Sequence, residues 1–410
     1  MIDSVLDSPA AGTGQPIRAC SDDLEAAKPV LPSTGPTIGV TLSGGGFRAT
    51  FAALGALRYL ADARLLSALR YSSSVSGGSI TNGVLARAWP ELRAGDFSVA
   101  AFDELVVAPV VEMVTKHSLR NALLLRLWRT LGPENRTDVL AEQLDHWFFK
   151  GKLLAELDPQ VRFVINAANI VTGVRFTFER DVVGDYVIGL ARTAGTGLRL
   201  AQAVAASAAV PGPFAPWPVR NISFPCPHGT PELLDGGVYD NTGLEVLDHP
   251  AYAGVFTVTM NAGGLLRPGS YGKIPLIRDF MRANALLYRQ STALRTSMMV
   301  AAFKRGVDVP PGAPLPPGAR RGVLVALATD FNDDGPGLAA WRAAFDEART
   351  WQGQDLAYVP TVFDRLDQAL CRRLIYRGWW LVGAAFAAYY PDLAPTPDRL
   401  SPPPLSPDRS

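Results

Sequence analysis

One stretch constrains this chain more than any other: Thr37-Ile38-Gly39-Val40-Thr41-Leu42-Ser43-Gly44-Gly45-Gly46-Phe47-Arg48. Its apolar, β-branched start reads as a short buried strand, and residues 49–60 after it have helical periodicity, so three glycines fill the turn between them. Bare backbone N–H groups at a helix N-terminus make an anion site. About thirty residues later comes Ser74-Val75-Ser76-Gly77-Gly78-Ser79, where a second strand, residues 69–73, turns sharply into a helix starting near Ser79. Serines crowd this turn, but only Ser76 has glycines immediately after it and small residues, Ser74 and Gly78, at the two-residue positions. A strained strand-to-helix elbow needs small flanks, which makes Ser76 the expected nucleophile. An anion cradle beside an exposed hydroxyl is what acyl transfer needs, because the tetrahedral intermediate carries a negative oxygen next to the attacking group.

The alternation of strand, turn and helix implies an α/β fold, with a mostly parallel central sheet and helices on both faces. Residues 1–36 mix Ser, Thr, Gly, Pro and Ala without a period and read as a flexible lead-in; the folded unit is expected over residues 37–390. From about 102 to 157 the pattern is helical with no convincing strand, a lid-like helical insertion. Within it, residues 116–129 join a leucine-rich face to Lys116, Arg120, Arg126 and Arg129, which suits either a helix meeting anionic lipid or a core helix with a solvated basic edge. Further on, residues 161–167 and 174–178 read as strands joined by a turn at 169–173, and residues 198–210 as a small-residue helix. Leu233-Leu234-Asp235-Gly236-Gly237 sets a carboxylate in a glycine turn. A strand at 254–260, a long helix at 275–303, a Pro-rich surface loop at 309–318, a strand at 323–328 and one or two closing helices at 361–390 complete the pattern, and the Pro/Ser/Asp-rich tail 391–410 reads as disordered.

Charge excludes a general attraction to nucleic acid, since 39 basic residues face 38 acidic ones. Cys20, Cys226 and Cys371 are scattered, with no CxxC or Cys/His cluster for zinc, which fits a reduced, cytoplasmic chain. The N-terminus lacks the features of a secretion signal, and the longest nearly uncharged run, 378–390, is too short to span a bilayer and reads as a buried terminal helix.

In order and spacing, Gly44-Gly45-Gly46-Phe47-Arg48, Ser76 within Ser74-Val75-Ser76-Gly77-Gly78, and Asp235-Gly236-Gly237 resemble the patatin-like phospholipase family, which includes plant patatins and, more distantly, the cytosolic phospholipases A2. Ala206-Ser207-Ala208-Ala209-Val210-Pro211 and residues 169–173 extend the resemblance, which covers roughly residues 37–390. Two positions depart from the family pattern: Ser74 stands for the first elbow glycine, and Gly243 stands where many patatins have proline. The resemblance implies a Ser76/Asp235 dyad without a histidine, an oxyanion hole from Gly44, Gly45 and Gly46, and support from Arg48, Gly77, Gly78, Gly236 and Gly237. Arg48 then either orients the glycines or a lipid phosphate, or merely begins its helix and pairs with a carboxylate. Implied, too, are a phospholipid or glycerolipid substrate, transient contact with a membrane surface, and no metal or other cofactor. An acyltransferase would share the same acyl-enzyme. A phosphate-binding module or a catalytically silent scaffold are the other readings, although the glycines lack the Lys-Ser/Thr of a P-loop.

Overall fold

The computed structural model describes residues 16–18, 28, 31, 37–126, 130, 134–226, 229–265, 275–310, 312–331, 335–345 and 353–405. In chain order its strands are β1 (Pro16–Arg18), β2 (Ile38–Leu42), β3 (Leu69–Val75), β4 (Arg162–Asn169), β5 (Val174–Phe178), β6 (Val182–Asp185), β7 (Gly189–Arg192), β8 (Trp217–Pro218), β9 (Glu232–Asp235), β10 (Phe256–Asn261) and β11 (Gly322–Ala326). They form one sheet, ordered β1-β7-β6-β5-β4-β3-β2-β10-β11, with β9 added to β4 and β8 to β9. From β11 through β10, β2 and β3 to β4 every pairing is parallel. The expected parallel centre is therefore present, and antiparallel β5, β6 and β7 extend one edge. β6, β7 and β8 were not legible in the sequence, because two to four residues give too little alternation to register as a period.

Every residue of helix Gly46–Asp62 is buried. Across it lies helix Gln368–Tyr389, whose Trp379, Trp380, Leu381 and Phe386 are also buried, so the apolar run at 378–390 is a core helix as expected. Two glycines let these backbones touch: a β-carbon on Gly55 would lie 2.0 Å from the Ile375 carbonyl oxygen, and one on Gly378 2.1 Å from that of Ala52. Among the described residues no helix is long and apolar enough to cross a membrane.

The insertion is helical among its described residues, with helices Ala108–Lys116, Leu119–Leu124 and Arg136–Leu144. The leucine-rich stretch at 116–129 is not one helix: His117 is extended, and Ser118 caps a new, short helix by accepting the Asn121 amide at 3.1 Å. Leu127, Trp128 and Arg129 lie outside the described residues. Residues 361–367, expected to be helical, are not; the closing helix starts at Gln368, capped by the Asp367 carboxylate.

Both terminal stretches differ from expectation where they are described. Pro16–Arg18 pairs antiparallel with β7, and Lys28 is buried with its ammonium on Glu179. In the tail, Leu400 is buried and the Ser401 amide donates to both oxygens of buried Asp62, 3.0 Å each. Asp62 also takes the Trp379 indole N–H and an Arg58 guanidinium N–H. Prolines with fixed φ lay such a strap down at low entropic cost, so a composition that reads as disorder can still pack. The cysteines differ as well: Cys371 is a free, buried thiol, whereas Cys226 is joined in a disulfide.

The helix crossing yields a test. Gly378→Leu should cost about 1–3 kcal/mol through overpacking, read as a lowered midpoint of thermal unfolding. An unchanged midpoint would contradict the backbone contact between the two helices.

Candidate active site

Adjacent parallel strands end at the same level, and β2 and β3 are adjacent, with Leu42 opposite Ser74. Beyond β2 the chain turns through the three glycines into helix Gly46–Asp62, and beyond β3 it turns at Ser76 into helix Gly77–Ala94. Ser76 has φ 52° and ψ −121°, a conformation costly for a residue with a β-carbon, so the surrounding structure must hold it. The two turns are in contact. A β-carbon on Gly77 would fall 2.0 Å from the Gly46 carbonyl oxygen, and one on Gly44 would lie 3.2 Å from the Ser76 β-carbon. Gly78 is equally confined, 2.5 Å from the Leu42 carbonyl oxygen by the same measure.

β4 brings the carboxylate to the serine. Along one edge, its residues Arg162 to Asn166 pair with Tyr71 to Val75 of β3. From the next residue on, the partner is β9, running the other way: Ala167 opposite Asp235, then Ala168 opposite Leu234 and Asn169 opposite Leu233. β3 and β9 thus meet end to end on one neighbour, one ending just before Ser76 and the other at Asp235.

Ser207, at the end of helix Leu200–Ser207, ties these ends together. Its hydroxyl accepts the Ser76 amide at 3.0 Å and donates to the Asn166 carbonyl at 2.6 Å, while its own carbonyl accepts the Gly236 amide at 3.1 Å. The Asp235 amide donates to Ala209 at 3.0 Å. Ser74 fits the elbow despite its extra hydroxymethyl group, because its buried hydroxyl receives Ser79 at 3.0 Å and the Asn82 amide at 2.9 Å. Gly243 sits at φ 67°, which proline cannot adopt.

The patatin-like phospholipase family model matches residues 40–248, just over half of the chain, from within β2 to beyond β9. The chain belongs to the patatin-like phospholipase family. Among solved structures, human GIVD cytosolic phospholipase A2 in complex with methyl γ-linolenyl fluorophosphonate inhibitor and terbium chloride aligns at 14% identity and a TM-score of 0.48, over 89% of this chain and 60% of that one. VipD from Legionella pneumophila aligns at 15% identity and a TM-score of 0.35, over 80% of this chain and 66% of that one. The chain therefore spans about 60% of the length of the phospholipase A2 it aligns with. No curated protein matches it in sequence.

In this patatin-like chain Asp235 is buried, and burial pushes its carboxyl up to about 6, against the lowering effect of the Ser76 side chain and the Gly237 amide that donate to it. The Gly237 bond is 2.7 Å. Gly236 is pressed close to the Asn166 carbonyl oxygen, where a β-carbon would lie 2.3 Å away. Of the three cradle glycines, Gly44 has its amide engaged, donating to the Asn241 carbonyl at 2.9 Å. Gly45 and Gly46 keep theirs without a partner among the described residues, a division that the sequence does not reveal.

Arg48 is 2% exposed, and its partners are not the carboxylate that one sequence reading expected. Its guanidinium donates to the carbonyls of Ala262, at 2.9 Å, and Val359, and to the Thr361 hydroxyl at 3.1 Å. Burial lowers its pKa to about 10. Phe47 donates its amide to the Val362 carbonyl at 3.1 Å, so residues 359–362 strap the glycine turn from above. Asp240 shapes the loop beyond Asp235 by accepting the Thr242 hydroxyl and the Glu245 amide. Ser76, Asp235, Gly45 and Arg48 line a cleft of about 570 Å³ with Asn241, Asn261 and Arg289. Among the described residues no histidine lines it, and His228 lies outside them.

A raised carboxyl pKa has a sign in stability. Between the ordinary 3.8 and about 6 the unfolded chain releases the Asp235 proton before the folded one does, so rising pH erodes stability until about 6 and the loss persists above it. Asp235→Asn should therefore be more stable than the parent at pH 8, by about 1–3 kcal/mol, with the difference gone below pH 4. Paired thermal-unfolding curves at the two pH values check this.

Proposed function

We propose that this chain is a serine lipid acyl hydrolase of the phospholipase A type, cleaving fatty acyl esters of glycerophospholipids or glycerolipids. The observation that carries the reading is the end-to-end meeting of β3 and β9, which sets the strained Ser76 beside a buried carboxylate whose pKa lies close to neutral. A general base is most useful when its pKa is near the working pH. Asp235 takes the Ser76 proton as Oγ bonds to the ester carbonyl carbon, and the Gly45 and Gly46 amides receive the resulting oxyanion. As the C–O bond to the alcohol breaks, Asp235 returns the proton to the leaving oxygen. Water then enters by the same route: Asp235 takes its proton as the water oxygen bonds to the acyl carbon, the acyl–Oγ bond breaks, and Asp235 returns that proton to Ser76 as the fatty acid leaves. Arg48 holds the strap and the glycine turn in register from its carbonyl partners.

A lipid surface also fits the exposed apolar residues. Leu125 is 75% exposed and Leu124 53% on the insertion, beside Arg120 and Arg126, and Ile170 and Val171 are exposed in the turn that continues β4 beyond the level of Ser76. Apolar side chains flanked by arginines suit peripheral contact with an anionic bilayer.

A fluorophosphonate probe should label Ser76, located by peptide mapping, and fail to label Ser76→Ala; no labelling of the folded parent in the presence of vesicles would sink the hydrolase reading. The kcat/KM of ester cleavage should rise with pH through an apparent pKa of about 6, since only ionised Asp235 accepts the proton. Removing such a base costs about a hundredfold to ten-thousandfold, the loss expected for Asp235→Asn. For the membrane contact, Leu125→Glu should reduce co-sedimentation with anionic vesicles several-fold.

A further inference from the structure

Beside the catalytic cleft lies a second cavity of about 450 Å³, walled by Leu123, Val139, Val210, Phe214, Val362 and Phe363. Its charged lining residues, Arg120, Arg136 and Asp364, are partly or largely exposed, so charge sits at its rim. Val210 and Thr361 line both cavities. The shared wall is next to the reacting groups: Val210 follows Ala209, whose carbonyl holds the Asp235 amide, and the Phe363 ring packs edge-on at 5.5 Å against Phe47, which follows Gly46. The two cavities differ in chemistry. The cleft around Ser76 offers Asn241, Asn261, Arg289, Thr292 and Thr296, groups that suit a hydroxylated or charged alcohol portion. The second offers an apolar interior of a size usual for small-molecule sites.

We propose that this second cavity takes the scissile acyl chain, so that its wall residues set the acyl length the enzyme accepts; the proposal rests on the Ser76 reading above. With the carbonyl oxygen at the Gly45 and Gly46 amides, the chain crosses from the cleft at the shared residues Val210 and Thr361 and runs on past Phe363 to Phe214 and Val139. The occupant has no polar group to satisfy, and apart from Thr361 at the boundary with the cleft the uncharged lining residues are all apolar. Val139 belongs to helix Arg136–Leu144 and Leu123 to helix Leu119–Leu124, so two helices of the insertion, rather than the sheet, form the far wall.

The test measures kcat/KM for p-nitrophenyl esters from butanoyl to palmitoyl in the parent, Val139→Trp and Phe214→Ala. In the parent, kcat/KM should climb with chain length by up to about fourfold per methylene, the equivalent of about 0.8 kcal/mol, until the cavity is full. Val139→Trp should lower the palmitoyl-to-butanoyl ratio at least tenfold, and Phe214→Ala should move the optimum to longer chains. A ratio unchanged in both folded variants overturns the assignment. Binding of cis-parinaric acid to Ser76→Ala, read by fluorescence, separates the two levels of inference. If no ester is cleaved but this fatty acid binds and Val139→Trp weakens it at least tenfold, the hydrolase reading fails and the chain site stands. If binding is indifferent to Val139→Trp, the chain site fails whatever the enzyme does.

Discussion

The site depends on a single edge of β4. A strand has one row of hydrogen-bonding groups on each side, and here one row is divided between two partners running in opposite directions. β3 takes it as far as Asn166 and β9 takes it from Ala167, so the ends of β3 and β9 face each other across one residue step. Neither strand can slip toward the other without meeting it, and register is what holds Ser76 and Asp235 together. Ser207 closes the gap, its hydroxyl accepting the Ser76 amide and donating to the Asn166 carbonyl while its own carbonyl accepts the Gly236 amide, so the proposed dyad rests on backbone geometry rather than on long side chains.

Burial then shifts the carboxyl of the proposed pair. Asp235 keeps few compensating donors, and the desolvation that raises its pKa to about 6 is also a cost to the folded state. That cost is tolerable because the rest of the core is extensive: helix Gly46–Asp62 is buried along its whole length, and the helix packed on it approaches to backbone contact at Gly55 and Gly378. Arg48 is a second buried charge, held by carbonyls and a hydroxyl instead of a counter-ion. Between them, residues 359–362 connect the closing helix to the glycine turn, so the turn is fixed from both the sheet side and the strap side.

Much of this was legible in the chain. The strand-glycine-helix period at Ile38–Leu42 and after it, the small flanks of Ser76, and the long helices all announce themselves, because each rests on local steric demands or on a period several residues long. β6, β7 and β8 were too short to announce themselves. The strap at 361–367 read as helix, and the tail at 391–405 read as disorder. Both settle elsewhere because their partners, Arg48 and Phe47 for one and Asp62 for the other, are more than two hundred residues away in sequence.

The sequence by itself determined which residues make the turns and where glycine is needed, since turn sterics and helix N-termini are properties of neighbouring residues. It could not decide that Gly44 would give its amide to Asn241 while Gly45 and Gly46 keep theirs, nor that Asp235 would be buried enough to shift toward neutrality. Those outcomes belong to the tertiary structure, because a hydrogen-bond partner and a loss of solvent are both supplied by segments that only folding brings near.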